Sequence, residues 1–149
     1  MNPSITKPTD IISLLGTIDP ASVAVGTVTS DYVDMSQLSA LLAVISTGVL
    51  GASATVNAKL VQATSNAGAG KKDIAGKSIT QIVKATGDNV QAEINLFAEE
   101  LDGENNYQYV ALELTVGTAA SQASAVLLGA VHRYNPASMS NLSSVVQIV

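Results

Sequence analysis

Residues 90–116 constrain the fold more than any other stretch of the chain. Val90, Ala92, Ile94 and Leu96 alternate with Gln91, Glu93 and Asn95, and Val110, Leu112, Leu114 and Val116 alternate with Tyr109, Ala111, Glu113 and Thr115. Successive side chains on a strand point to opposite faces, so each limb has one apolar face and one mostly polar face. The intervening AEELDGENN is acidic and turn-forming. The pattern predicts two neighbouring antiparallel strands, with Ile94, Leu112 and Leu114 in a core and the other face in water.

The rest of the chain reads in the same way. TVTSDYVDM, residues 27–35, gives a first strand with Val28, Ser30, Tyr32 and Asp34 on one side, broken at Ser36-Gln37. The period of residues 38–48 is ambiguous between helix and strand. Strand is chosen because Val44, Ile45, Ser46 and Thr47 are β-prone and Gly48 and Gly51 close the run. In residues 54–65, Val56, Ala58 and Leu60 alternate with Asn57, Lys59 and Val61. Residues 66–70 form a glycine-rich turn, followed by short apolar entries around Ile74 and residues 79–83. Gly87, Asp88 and Asn89 turn the chain into the limb that opens at Val90. Residues 119–134 read as strand or helix; strand is again favoured, with Gly129 as a bulge or close-packing point, and the segment ends at Asn135-Pro136. Six to eight short strands predict an all-β fold, a single antiparallel β-sandwich or small barrel, over residues 27–149.

Residues 1–26 read as an extended N-terminal arm, punctuated by Pro3, Pro8 and Pro20. It is richer in aliphatics than a disordered tail usually is. Two readings stand side by side: an arm that docks on a neighbour, or a segment packed on its own domain with a short helix at residues 10–15. The C-terminal NLSSVVQIV is also apolar. Ile5, Ile11, Ile12, Leu14 and Leu15 at one end, and Val145, Val146, Ile148 and Val149 at the other, are the candidate partner-binding residues. A bare strand such as residues 145–149 can extend a neighbour's sheet by backbone hydrogen bonding.

Composition narrows the partners. At 149 residues the chain is long enough for one compact domain. Its aromatics are Phe97, Tyr32, Tyr107, Tyr109 and Tyr134, so the core must be built of small and branched aliphatics. The formal charge is −5, and the seven basic residues are scattered, which argues against nucleic acid. Cysteine is absent, which excludes disulfides and thiolate metal sites and fits a reducing cytoplasm or a particle assembled in one. The N-terminus lacks the pattern of a secretory signal. The apolar run at residues 40–45 is far short of the ~20 residues needed to span a bilayer, so no membrane partner is expected.

No motif for chemistry emerges. His132 is the single histidine, Gly-x-Ser-x-Gly is absent, and His132 is read as a strand residue beside Arg133 and Tyr134. Gly68-Ala69-Gly70-Lys71-Lys72 fails the phosphate-loop spacing, with Ser65 where a glycine belongs and Lys72 where Ser or Thr belongs. It is read as a loop tip whose lysines meet acidic groups on a partner. Glu99, Glu100, Asp102 and Glu104 form a solvated acidic turn that matches no complete calcium loop. No catalytic residue, metal site or cofactor is expected, and the chain is read as a non-enzyme.

The second half resembles a family of small virion proteins of tailed bacteriophages. The resemblance is carried by a strand ending in LTVGTAAS (residues 114–121), an apolar strand with a central glycine (125–131), Arg133-Tyr134, Pro-Ala-Ser (136–138) and the short aliphatic tail. DYVDMSQLSALLAVISTG, residues 31–48, fits as well, and the arm is not covered. The resemblance implies a capsid decoration or cement protein that binds and stabilises the major capsid protein shell of an HK97-type head. It also implies self-association, as a homotrimer, on the capsid exterior after assembly in the bacterial host cytoplasm. Two alternatives remain: a neck or tail structural protein of the same virion, and a receptor- or glycan-binding module.

Overall fold

A computed structural model describes residues 6–149. A single helical turn, α1 (Pro8–Ile11), leads into a long strand β1 (Ile12–Val23). The strands β2 (Gly26–Thr29), β3 (Val33–Asp34), β4 (Leu38–Thr47), β5 (Thr55–Ala63), β6 (Lys72–Ser78), β7 (Ile82–Val83), β8 (Gln91–Phe97), β9 (Tyr109–Gly117) and β10 (Ser121–His132) follow. Four strands form one sheet in the order β1-β10-β4-β8. The second sheet runs β2-β9-β5-β6, with β3 beside β9 and β7 beside β5. All pairings are antiparallel. The chain is an all-β sandwich, and this strand order is that of a jelly roll.

The core lies between the sheets. Leu41, Ala43, Ile45, Ile94, Leu96, Ala125 and Leu127 come from the first sheet, and Val56, Leu60, Val110, Leu112, Leu114 and Val116 from the second. Ile45, Leu60, Leu112, Leu114 and Leu127 are fully buried. Each such side chain contributes about 1.5–3 kcal/mol by leaving water, so small aliphatics suffice without tryptophan. Gly129 is the close-packing point: β10 pairs with β4 there without a register shift, and a Cβ would lie 2.8 Å from Leu38 Cδ1.

Three expectations are corrected. Ile94, Leu112 and Leu114 are buried as expected, yet β8 and β9 are not neighbours. β8 pairs with β4, β9 pairs with β5, and the two strands lie in opposite sheets. The connection of residues 98–108 carries two 3₁₀ turns and crosses the ~10 Å between sheets, which a tight hairpin turn would not do. Residues 27–35 are two short strands, because residues 30–32 leave the ladder between Thr29 and Val33. Within the expected arm, Ile12–Val23 form β1 and hydrogen-bond to β10 of the same chain, with the helical turn placed just before, at Pro8–Ile11. Its buried Ser13, Ile18 and Val23 explain this placement: they fill the sandwich edge that an arm reaching outwards would leave open.

Candidate interaction surface

The outer face of the four-stranded sheet is unusual in being apolar. Register fixes its rows. Ile12, Ala130, Ala40 and Phe97 lie side by side across β1, β10, β4 and β8. The next row is Leu14, Leu128, Leu42 and Asn95, and the next is Thr17, Val126, Val44 and Glu93. Ile12 is 41% exposed and Phe97 55%. A groove of about 200 Å³ runs between Ile12, Leu42, Asn95, Leu128 and Ala130. Towards the opposite end the same face turns polar, and a shallow depression is lined by Ser22, Ser46, Gln122 and Ser124. Asp19 and Glu93 are the only acidic side chains on the four strands, which carry no Lys or Arg.

The candidate partner residues gather at the apolar end. A second groove, of about 390 Å³, is lined by Ile12, Leu14 and Leu128 together with Val145, Ile148 and Val149 of the tail. The tail is held there by the Leu142 N–H on Leu14 O (2.9 Å) and by the Leu14 N–H on Asn141 Oδ1 (2.8 Å). Ile11 is exposed beside this groove, and Val146 is 90% exposed. Leu15 points the other way, into the core near Gly129. Ile5 lies outside the described residues. Sequence reasoning missed Ala40, Leu42, Phe97, Leu128 and Ala130. Their signal was present: LSALLAVI and ASAVLLGAV are apolar on both parities, which a sheet with one wet face does not require.

The other sheet is clasped by charge. Lys71 pairs with Glu113, which is 7% exposed, and Lys59 bridges Asp73 (2.8 Å) and Glu113 (3.8 Å). Lys72 pairs with Asp102 and sits 4.0 Å over the Tyr107 ring. Lys77 reaches Glu100 (2.9 Å), and Lys84 reaches Asp88 (2.7 Å). The loop-tip lysines Lys71 and Lys72, expected to meet a partner's acids, are therefore engaged within the chain. Their hydrogen bonds to Glu113 and Asp73 hold Lys71 and Lys59 above the ordinary lysine range. Asp88 lies below the ordinary carboxylate range because of Lys84 and the Leu50 N–H. Glu100 is lowered by the Phe97 N–H and Lys77, and Asp102 by Lys72 and Asn105.

His132 contacts Ser13 Oγ (2.8 Å) and Gly129 O (3.1 Å) through Nε2. Ser13 is 1% exposed, and His132 Nδ1 is buried with no hydrogen-bond partner among the described residues. A hydrolytic pair needs an accessible hydroxyl and a group orienting Nδ1, and this arrangement has neither. Among the described residues, no three His, Asp or Glu side chains converge to hold a metal ion.

The strand order defines a jelly-roll sandwich whose distinctive feature is this apolar outer face. No protein-family model matches the chain, and no curated protein matches it. Among solved structures it is similar to a chain in the cryo-EM structure of Broad Bean Stain Virus, with 11% identity over 86% of this chain and 89% of that chain, at a TM-score of 0.49. It is similar to a chain of the Cowpea mosaic virus top component, the naturally occurring empty particles, with 13% identity over 87% and 89%, at 0.45. It is also similar to a chain from the disulfide-linked pili of Bacillus endospore appendages, with 11% identity over 85% and 96%, at 0.36. These likenesses carry no functional argument, since one fold serves many functions.

Proposed function

We propose that this chain is a structural subunit of a virus particle: a cement or decoration protein that binds and stabilises the major capsid protein shell of a tailed bacteriophage. It acts as a self-associating subunit, a homotrimer, on the capsid exterior, and enters the particle in the host cytoplasm. The observation that carries this reading is the apolar outer face of the β1-β10-β4-β8 sheet, continuous with the exposed tail. A contiguous apolar stretch on the open face of a sheet suits protein contact. The near absence of charge on those strands suits a broad, dry contact better than a polar ligand. The sequence resemblance points the same way.

Two of the tyrosines, Tyr32 and Tyr107, give the glycan-binding alternative no support. Tyr107 is pinned by the Lys72 ammonium and by its hydroxyl on Gly70 O (2.8 Å), and Tyr32 packs against Gly68. They form no open stacking platform.

The test is co-sedimentation of purified protein with mature heads that lack it. Wild type should pellet with heads and raise their thermal stability. The double variant Leu42→Asp/Leu128→Asp, which changes only half-exposed outer-face positions, should remain folded and stay in the supernatant. Equal binding by the two proteins would remove this face from the contact.

A further inference from the structure

We propose that the C-terminal segment of one copy, residues 143–149, adds as a fifth strand to the β8 edge of the four-stranded sheet in a second copy. The proposal rests on the self-association in the proposed function and needs no capsid.

The argument begins with the edges. Exposed edges present unpaired N–H and C=O groups, and proteins blunt them with bulges, proline, lysine or short length. β1 carries two register shifts and Pro20. β2 has four residues. β6 shifts register against β5, contains Gly76 at φ 73°, and carries Lys72 and Lys77. β8 carries a single charged side chain, Glu93, and no other such device: it makes seven consecutive pairs with β4 without a shift and contains no Pro, Gly or Lys.

Hydrogen-bond phase shows which groups are open. The Thr47 N–H donates to Val90 O at 2.9 Å, so Ala92, Ile94 and Leu96, in phase with Val90, bond β4. Gln91, Glu93 and Asn95 then turn their backbone groups outwards. Phe97, in the same phase, has its N–H taken by Glu100 Oε2 at 2.8 Å, which closes that end of the edge.

The donor is matched to this acceptor. Residues 141–149 carry no charged side chain and form no strand in their own chain. Val146 and Val149 are fully or almost fully exposed. As a strand, the segment would place Val146 and Ile148 on one face, to continue Ile94 and Leu96, and Gln147 on the other, beside Glu93 and Asn95. Its own β8 is out of reach. The tail is anchored at Leu14 on β1, and β1 and β8 are opposite edges of the sheet, three strand spacings or ~14 Å apart. Counted from the anchor at Leu142, residues 143–149 extend at most ~25 Å, so crossing the sheet leaves about three residues, too few for this segment also to run along residues 91–95. The contact is therefore between copies: exchanged reciprocally it closes a two-fold dimer, and passed head to tail it closes a ring or propagates as a filament.

The experiment uses two variants of the full chain and their mixture. One lacks residues 145–149. The other is Glu93→Pro, which removes an outward N–H where an edge strand tolerates proline. Circular dichroism confirms the fold, and light scattering after size exclusion reads the mass. Wild type should assemble, each variant alone should be monomeric, and the mixture should give a 1:1 heterodimer, since only one joint can form. Amide exchange at Gln91, Glu93 and Asn95 should be slow in wild type and fast in the truncated chain, a readout that stands if Glu93→Pro fails to fold. Assembly that survives truncation and is lost in Glu93→Pro would mean that β8 pairs with β8 of the partner, and would overturn the proposal. Assembly by both variants, or a monomeric wild type, would overturn it too. A monomeric wild type that still binds heads would leave capsid binding standing while refuting this joint.

Discussion

Ser30 is the most exacting place to test the fold. β2 leaves β9 after Thr29, and β3 rejoins it at Val33. In the gap the Ser30 N–H donates to Leu112 O, and the Leu112 N–H donates to Ser30 Oγ, both at 2.9 Å. The hydroxyl itself donates to Asp31 O at 2.9 Å. Leu112 is fully buried and Ser30 is 6% exposed, so water has no ready access to replace the side chain. Ser30→Ala removes the acceptor and leaves a buried N–H unpaired, which costs about 1–3 kcal/mol. Losing the second, more ordinary hydrogen bond adds about 0.5–1.5 kcal/mol, and the better burial of a methyl returns part of that. A net loss of about 1.5–3 kcal/mol is expected, a drop in Tm of roughly 5–10 °C for a chain of this size. Urea unfolding should show a lower midpoint at unchanged slope. Native-state exchange should show the Leu112 amide losing protection selectively. A loss below about 0.5 kcal/mol, against the cost of an orphaned donor, with Leu112 still protected, would refute the claim that Ser30 stands in for a missing ladder bond.

Further outcomes follow from other features. Leu112→Ala should destabilise by about 2–5 kcal/mol in the same urea assay, because the side chain has no exposed surface and sits between the sheets. Val131 is a β-branched residue at φ 56° and 67% exposed, so Val131→Asn should raise stability by up to about 1 kcal/mol by relieving left-handed strain. Asp88, Glu100 and Asp102 sit below the ordinary carboxylate range, so their contribution is complete above it and is lost as pH falls through the lowered values. Thermal melts should show Tm declining below about pH 4. Lys59 and Lys71 have the opposite sign: their contribution is complete below the ordinary lysine range and disappears as pH rises beyond it.

Alternation made the core legible from the sequence. Ile94, Leu112, Leu114, Val56 and Leu60 were readable as inward-facing because a strand's period is local. Strand pairing was not, since which strand lies beside β8 depends on contacts with β4, far away along the chain. The same limit hid the break at Ser30, where a side chain replaces a ladder bond without leaving a period. The apolar outer face was half legible. The apolar tail and Ile12 stood out as residues without a local use. Leu42 and Leu128 did not stand out, because a run that is apolar on both parities does not say which face is outside. The lysine clasp could not be read at all, since Lys71 and Glu113 meet across 42 residues of sequence.

The separation of charge between the two sheets makes the molecule respond to ionic strength in two directions at once. Added salt screens the half-exposed ion pairs that pin residues 71–73 to β5, β9 and the acidic turn, and so loosens one side of the sandwich. The opposite face has almost no charge to screen, and strongly hydrated anions such as sulfate favour its burial. A concentrated salt medium thus softens the clasped sheet while tightening any contact made through the bare one. Dilution reverses both effects, so low salt is the condition that most weakens any contact made through the bare face.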